Sequence, residues 1–182
     1  MKRLTLTALA MALGFGATGS ALAANGLYVG AGVGQASYDV CGELGTGLTS
    51  CDDEDTGWKV FGGYDFNENL AVEAAWVDLG EVSASVAGGT ATAEVDGIAV
   101  DLKATLPLNE AFGIFGKVGF ISWDAEGGGL ASGVDDDGND LTYGVGAEYM
   151  FSSQFGVRGE WERFDIDDED ADLLSIGAVL KF

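Results

Sequence analysis

The 182-residue chain has no histidine, a single proline, and 8 Lys or Arg residues against 30 Asp or Glu. Without an imidazole it lacks the commonest general base, proton shuttle and metal ligand near neutral pH, which removes a large branch of enzymology. The scarcity of cationic side chains, with a formal net charge of −22, leaves little to grip a phosphate backbone, so nucleic acid is not an expected partner. The near absence of proline keeps long stretches open to ladder hydrogen bonding, because a central strand cannot hold proline. Long hydrophobic runs are also missing: beyond the first two dozen residues no 18 successive apolar residues occur, so no membrane-spanning helix is expected there.

The only cysteines, Cys41 and Cys51, stand ten positions apart. In an exported chain this favours one disulfide that tightens a loop. Two free thiols or a metal site are the alternatives, and the C-x-x-C spacing of a redox pair is absent.

What the chain does have begins at its start. Lys2 and Arg3 precede an apolar run from Leu4 to Ala17 and then Ala21-Leu22-Ala23. This is the charged head, hydrophobic centre and small-residue cleavage site of a secretory signal, with the cut expected after Ala23. Residues 1–23 are therefore read as a signal peptide and 24–182 as one domain.

Through that domain apolar and polar residues alternate with period 2, which predicts strands at 26–38, 57–67, 70–79, 94–107, 112–124, 140–151, 155–165 and 173–182. Connections at 67–69, 107–111 and 151–154 are short. Those at 39–56, 80–93, 125–139 and 166–172 are longer and rich in Asp, Gly and Ser. One face of the strands, for example Leu70, Val72, Ala74 and Trp76, or Ile98, Val100, Leu102, Ala104 and Leu106, is uncharged except for Asp78, Glu94, Asp96, Arg163 and Asp165 toward the long-loop rim. The opposite face holds Lys59, Asp65, Glu73, Asp101, Lys103, Lys117, Glu148, Arg158, Glu160, Glu162 and Lys181, together with many of the 30 glycines. Glycine on the charged face indicates crowding, so that face is the inside of a barrel and the apolar face meets lipid. Tyr64, Phe66, Phe112, Tyr149, Phe151, Phe155 and Phe182 fall beside the short turns, as an aromatic girdle would. The expected fold is all-β: an eight-stranded antiparallel up-and-down transmembrane barrel. The alternative is a soluble lipocalin-like carrier with the apolar face inside.

Several segments resemble the transmembrane domain of outer membrane protein A and its small eight-stranded relatives, including opacity-type surface proteins. They are Gly26-Leu27-Tyr28-Val29-Gly30-Ala31-Gly32-Val33-Gly34, Phe61-Gly62-Gly63-Tyr64, Trp76-Val77-Asp78-Leu79-Gly80 and the C-terminal Leu180-Lys181-Phe182. The resemblance implies residence in the outer membrane of a Gram-negative-type cell, among lipid and lipopolysaccharide. It also implies that Leu174, Ile176, Ala178, Leu180 and Phe182 form a signal for the outer-membrane assembly machinery. The match ends at the eighth strand, so the peptidoglycan-binding domain of larger members is expected to be absent.

Counting from the short turns, Glu73, Lys103, Glu148 and Arg158 lie at one inward level, with Lys117 and Glu160 two residues further up. Charges inside so narrow a barrel must pair, because an unpaired buried ion is costly. In the resembled family the positions matching the first four form an interior ion-pair network that closes the barrel. Removing one member is expected to admit water and ions. The acidic runs Asp52 to Asp55, Asp135 to Asp137 and Asp165 to Asp172 lie on the long-loop side. They read as a solvated face that divalent cations can bridge to lipopolysaccharide phosphates. An EF-hand reading of Asp135 to Asp140 is weak, since the glycine and glutamate of that loop are missing. No cofactor motif is present, and a monomer is expected. The leading function is a structural and surface-interaction barrel; a narrow pore for water, ions or small solutes is second, and an enzyme third.

Overall fold

The computed structural model describes residues 26–38, 50–86, 88–133, 135–166 and 169–182. They form nine strands: β1 Leu27–Tyr38, β2 Ser50–Asp52, β3 Glu54–Asp65, β4 Leu70–Val86, β5 Gly89–Pro107, β6 Phe112–Gly129, β7 Asp135–Met150, β8 Phe155–Ile166 and β9 Glu169–Lys181. Neighbours in sequence pair antiparallel from β3 through β9, and β1 pairs with both β3 and β9, so eight strands close on themselves. The short β2 lies outside this ring, on the far end of β4 at Ser83–Ser85. The signal peptide and Cys41 lie outside the described residues.

Three of the turns at one end share one construction. The carboxamide oxygen of Asn67 accepts from the amides of Asn69 and Leu70, and that of Asn109 accepts from Ala111 and Phe112. The Ser152 hydroxyl accepts from Gln154 and Phe155. A short side chain that satisfies its own turn's amides needs no extra loop residues, which keeps this rim short.

The period-2 faces are where the alternation predicts. Val33, Val60, Val100, Leu102, Val118, Phe120, Val145 and Ile176 are exposed, while Lys59, Glu73, Asp101, Lys103, Lys117, Arg158, Glu160 and Glu162 are buried. A closed barrel that buries its ions and exposes a continuous apolar belt is stable only where lipid meets the belt. Tyr64 with Phe66 and Tyr149 with Phe151 make edge-to-face pairs at the short-turn border of the belt. Gly34 illustrates why glycine crowds the inner face: a Cβ there would stand 2.0 Å from the Leu174 carbonyl oxygen across the β1–β9 seam.

The far end departs from the sequence reading. The segments 80–93, 125–139 and 166–172, expected as loops, are largely strand: β4 and β5 run on to meet at Val86 and Gly89, and β6 and β7 stay paired up to Glu126 and Asp135. Charge and glycine suggested loops, but in water a charged side chain on one face does not disturb the ladder. Whether the strand forms is decided mainly by what the other face packs against. That other face is apolar. Ala36, Tyr38, Val77, Leu79, Val95, Ile121, Trp123, Phe164, Ile166, Ala171 and Leu173 make up the outer-end part of a buried apolar cluster that also reaches down to Tyr28, Phe61 and Val179. The polarity of the two faces thus inverts along the barrel axis. Charges are inside where lipid is outside, and apolar groups are inside where water is outside. Asp78, Glu94, Asp96, Arg163 and Asp165, which break the apolar outer face in the sequence, mark this crossing. A bulge between Asp78 and Glu81 sits at the same height, with Gly80 at φ +74° and its amide donating to the Asp78 carboxylate.

Candidate functional site

The charged interior has two tiers. In the lower one, nearer the short turns, Arg158 on β8 donates from Nη1 to Glu73 Oε2 on β4 at 2.7 Å and from Nη2 to Glu148 Oε2 on β7 at 3.1 Å. The Tyr28 hydroxyl on β1 donates to the same Glu73 oxygen at 2.9 Å, and Lys103 Nζ stands 4.0 Å from Glu148. Lys181 closes the tier at the mouth, 3.0 Å from Glu148 and 3.4 Å from Asp65. In the upper tier Lys59 on β3 pairs with Glu160 and Glu162 on β8. Lys117 on β6 reaches Glu162, Glu160 at 3.2 Å and Asp101 at 3.8 Å, and links the tiers through Glu73 at 3.4 Å.

All six charges singled out in the sequence, Glu73, Lys103, Lys117, Glu148, Arg158 and Glu160, therefore meet in one network. Lys59, Asp101 and Glu162 belong to it as well. Their alternation placed them inward, but strands tilted across a barrel carry residues far apart in count from the turns to one height. Aromatic rings complete the site. Tyr28, Phe61 and Phe115 face inward and enclose the Arg158 guanidinium at 5.6, 4.3 and 5.0 Å, and the Lys103 ammonium lies 4.4 Å over Tyr28. Ring faces stabilise cations that water cannot reach. The signal for them was available, since each has the parity of the charged face.

Above these tiers the apolar cluster fills the bore. Below them a cavity of about 290 Å³ opens to the short-turn end, lined by Asp65, Glu110, Phe115, Glu148 and Lys181 among others. The interior is therefore a blind vestibule capped first by ion pairs and then by hydrocarbon. Among the described residues no group of three or more His, Cys, Asp or Glu side chains is placed to hold a metal ion. The proposed assembly-signal residues Leu174, Ile176 and Ala178 are exposed on the outer face of β9, and the Phe182 amide donates to the Leu27 carbonyl oxygen at 2.9 Å across the seam.

The outer face beyond the belt carries two rows of carboxylates in direct register across four strands. Asp78, Asp96, Asp124 and Asp137 form the first, and Glu81, Glu94, Glu126 and Asp135 the second. Like charges directly opposite destabilise a sheet. Burial and the surrounding Asp124, Asp78, Glu94 and Glu126 raise the Asp96 carboxyl above its ordinary range.

Comparison with known families matches residues 6–182 to the outer membrane protein beta-barrel domain. No curated protein matches. Among solved structures, Ail, the attachment invasion locus protein of Yersinia pestis, seen in complex with the heparin analogue sucrose octasulfate, is 16% identical. It superposes with a TM-score of 0.60 over 87% of this chain and 99% of that one. Neisserial surface protein A is 13% identical, with a TM-score of 0.61 over 87% and 98%. The N-terminal β-barrel domain of Pseudomonas aeruginosa OprF is 10% identical, with a TM-score of 0.57 over 87% and 98%.

Proposed function

We propose, from the premise that this chain belongs to the outer-membrane β-barrel family, that it is a closed barrel serving structural and surface-interaction roles rather than a pore or an enzyme. The observation that carries this is the polarity inversion. The outer third, with an apolar interior and an acidic exterior, has the composition of a soluble sheet, so it stands in water above the membrane as a rigid platform. A conducting barrel would have no use for a hydrophobic stopper there. The absence of histidine supports a non-catalytic role, because the commonest acid–base group is missing.

The acidic rows suit a cationic contact. Divalent cations bridging them to lipopolysaccharide phosphates are the partner chemistry we favour, and the sulfated ligand seen on Ail is the opposite charge class. Planar-bilayer recording tests the closed reading together with magnesium-dependent association with lipopolysaccharide. Negligible steady conductance, and lipopolysaccharide binding lost on chelation and lost in a variant with Asp96, Asp124, Glu94 and Glu126 neutralised, are the expected results. Steady conductance through the parent barrel would put the pore first.

The C-terminal strand Leu174, Ile176, Ala178, Leu180 and Phe182 is proposed as the assembly signal, with residues 1–23 as the export signal. Deleting Phe182 should lower the amount of heat-modifiable barrel in the outer membrane far more than deleting the turn residue Ser153. Equal yields would leave the strand as an ordinary hydrophobic edge.

A further inference from the structure

The two tiers are not equally balanced. In the lower tier Arg158, Lys103 and Lys181 face Glu73, Glu148 and Asp65, three cations for three carboxylates. In the upper tier Lys59 and Lys117 face Glu160, Glu162 and Asp101, and Lys117 is shared with Glu73 besides. One positive charge is missing, and the shortfall is local to Asp101. Asp101 is 1% exposed, and neither of its carboxylate oxygens has a hydrogen-bond partner. Its nearest cation is Lys117 at 3.8 Å, and its direct neighbour across the β4–β5 ladder is another acid, Glu73.

Two strands along the same row, the Thr142 hydroxyl is also fully buried without a partner. Gly119 lies between them, in register with both Asp101 and Thr142. A Cβ on Gly119 would stand 2.6 Å from Asp101 Oδ1, so the bare backbone is what lets the carboxylate lie across toward β7. Orphaned buried oxygens ordinarily hold a water. A water would satisfy the hydrogen bonds and leave the charge uncorrected, and a net buried charge costs far more than an unmade hydrogen bond.

We propose that the upper tier binds one monovalent metal cation of the sodium or potassium class, seated over Gly119 between the Asp101 carboxylate and the Thr142 hydroxyl. Both donors are hard oxygens, which suit such an ion. A divalent ion would overshoot the one-charge deficit and leave a net positive charge buried. The site adds a specific ion to the interior of the barrel and does not depend on any surface role.

The test is urea unfolding of the refolded full domain in detergent micelles, with sodium, potassium or choline chloride at equal ionic strength and fixed pH. The unfolding midpoint should rise saturably in sodium or potassium relative to choline, because an ion that binds only the folded state stabilises it by mass action. Asp101→Asn should raise the choline midpoint and erase the difference among salts. Thr142→Val, nearly the same shape, should keep the fold and raise the half-saturating cation concentration about tenfold. Equal midpoints in all three salts would overturn the site. So would a midpoint that follows pH alone, which would make the missing charge a proton, or an Asp101→Asn variant that keeps its salt dependence.

Discussion

Arg158→Ala is expected to destabilise the barrel by about 3–5 kcal/mol, because it removes the cation shared by two buried carboxylates at once and leaves Glu73 to Lys117 and Glu148 to Lys181. Glu73 loses its 2.7 Å guanidinium contact and Glu148 its 3.1 Å one. The rings of Phe61, Phe115 and Tyr28 lose the cation they enclose. Water entering from the short-turn vestibule softens the loss toward the lower end of that range. A double change, Arg158→Met with Glu73→Gln, should recover much of it relative to Arg158→Ala, since the cation and one of its carboxylates leave together and the bore stays filled. Urea midpoints followed by tryptophan fluorescence and by the heat-dependent gel shift decide the matter. If Arg158→Ala unfolds at the parent's midpoint, the interior pairs contribute nothing and the closing role assigned to them fails.

The second expectation concerns conductance. Read from the sequence, breaking the ion pairs should open the bore. The structure places a second seal in series, because Phe164, Trp123, Ile121, Leu79 and Leu173 fill the barrel above the charges. Resistances in series are governed by the larger, so Arg158→Ala alone should leave planar-bilayer conductance near that of the parent. Trp123→Ala with Phe164→Ala should also leave the ion-pair seal intact while costing about 3–5 kcal/mol for each truncated ring. Only the triple variant should show a marked rise, of at least several-fold. A clear rise from Arg158→Ala alone would mean that the apolar cluster does not seal the bore.

Much of this architecture was legible because a strand exposes its periodicity directly. Glu73, Lys103, Lys117, Glu148, Arg158 and Glu160 could be drawn together from their parity and their distance to the short turns. Those two quantities place a side chain on a face and near an end. Lys59, Asp101 and Glu162 share that parity, yet their place in the network depends on tilt and shear, which belong to the closed ring and not to any one strand. Tyr28, Phe61 and Phe115 likewise have the inward parity, but that their rings enclose Arg158 follows only once the ring has closed.

The outer end shows the opposite case. Glycine and carboxylates at 80–93, 125–139 and 166–172 carry ordinary loop signals, and local composition has no term for the partner strand that turns them into ladder. Val77, Leu79, Val95, Ile121 and Trp123 were present in the sequence as the alternate partners of Asp78, Glu94, Asp96 and Asp124. Their inward burial follows only once β4, β5 and β6 continue past the lipid belt and curve around a common centre. Alternation, turn chemistry and the inventory of charges are properties of neighbours along the chain, so they specify the barrel, its lipid-facing surface and the ion pairs within its membrane-spanning part. Tiers, seals and the unbalanced carboxylate at Asp101 arise between residues on different strands, and those distances exist only after the ring has closed.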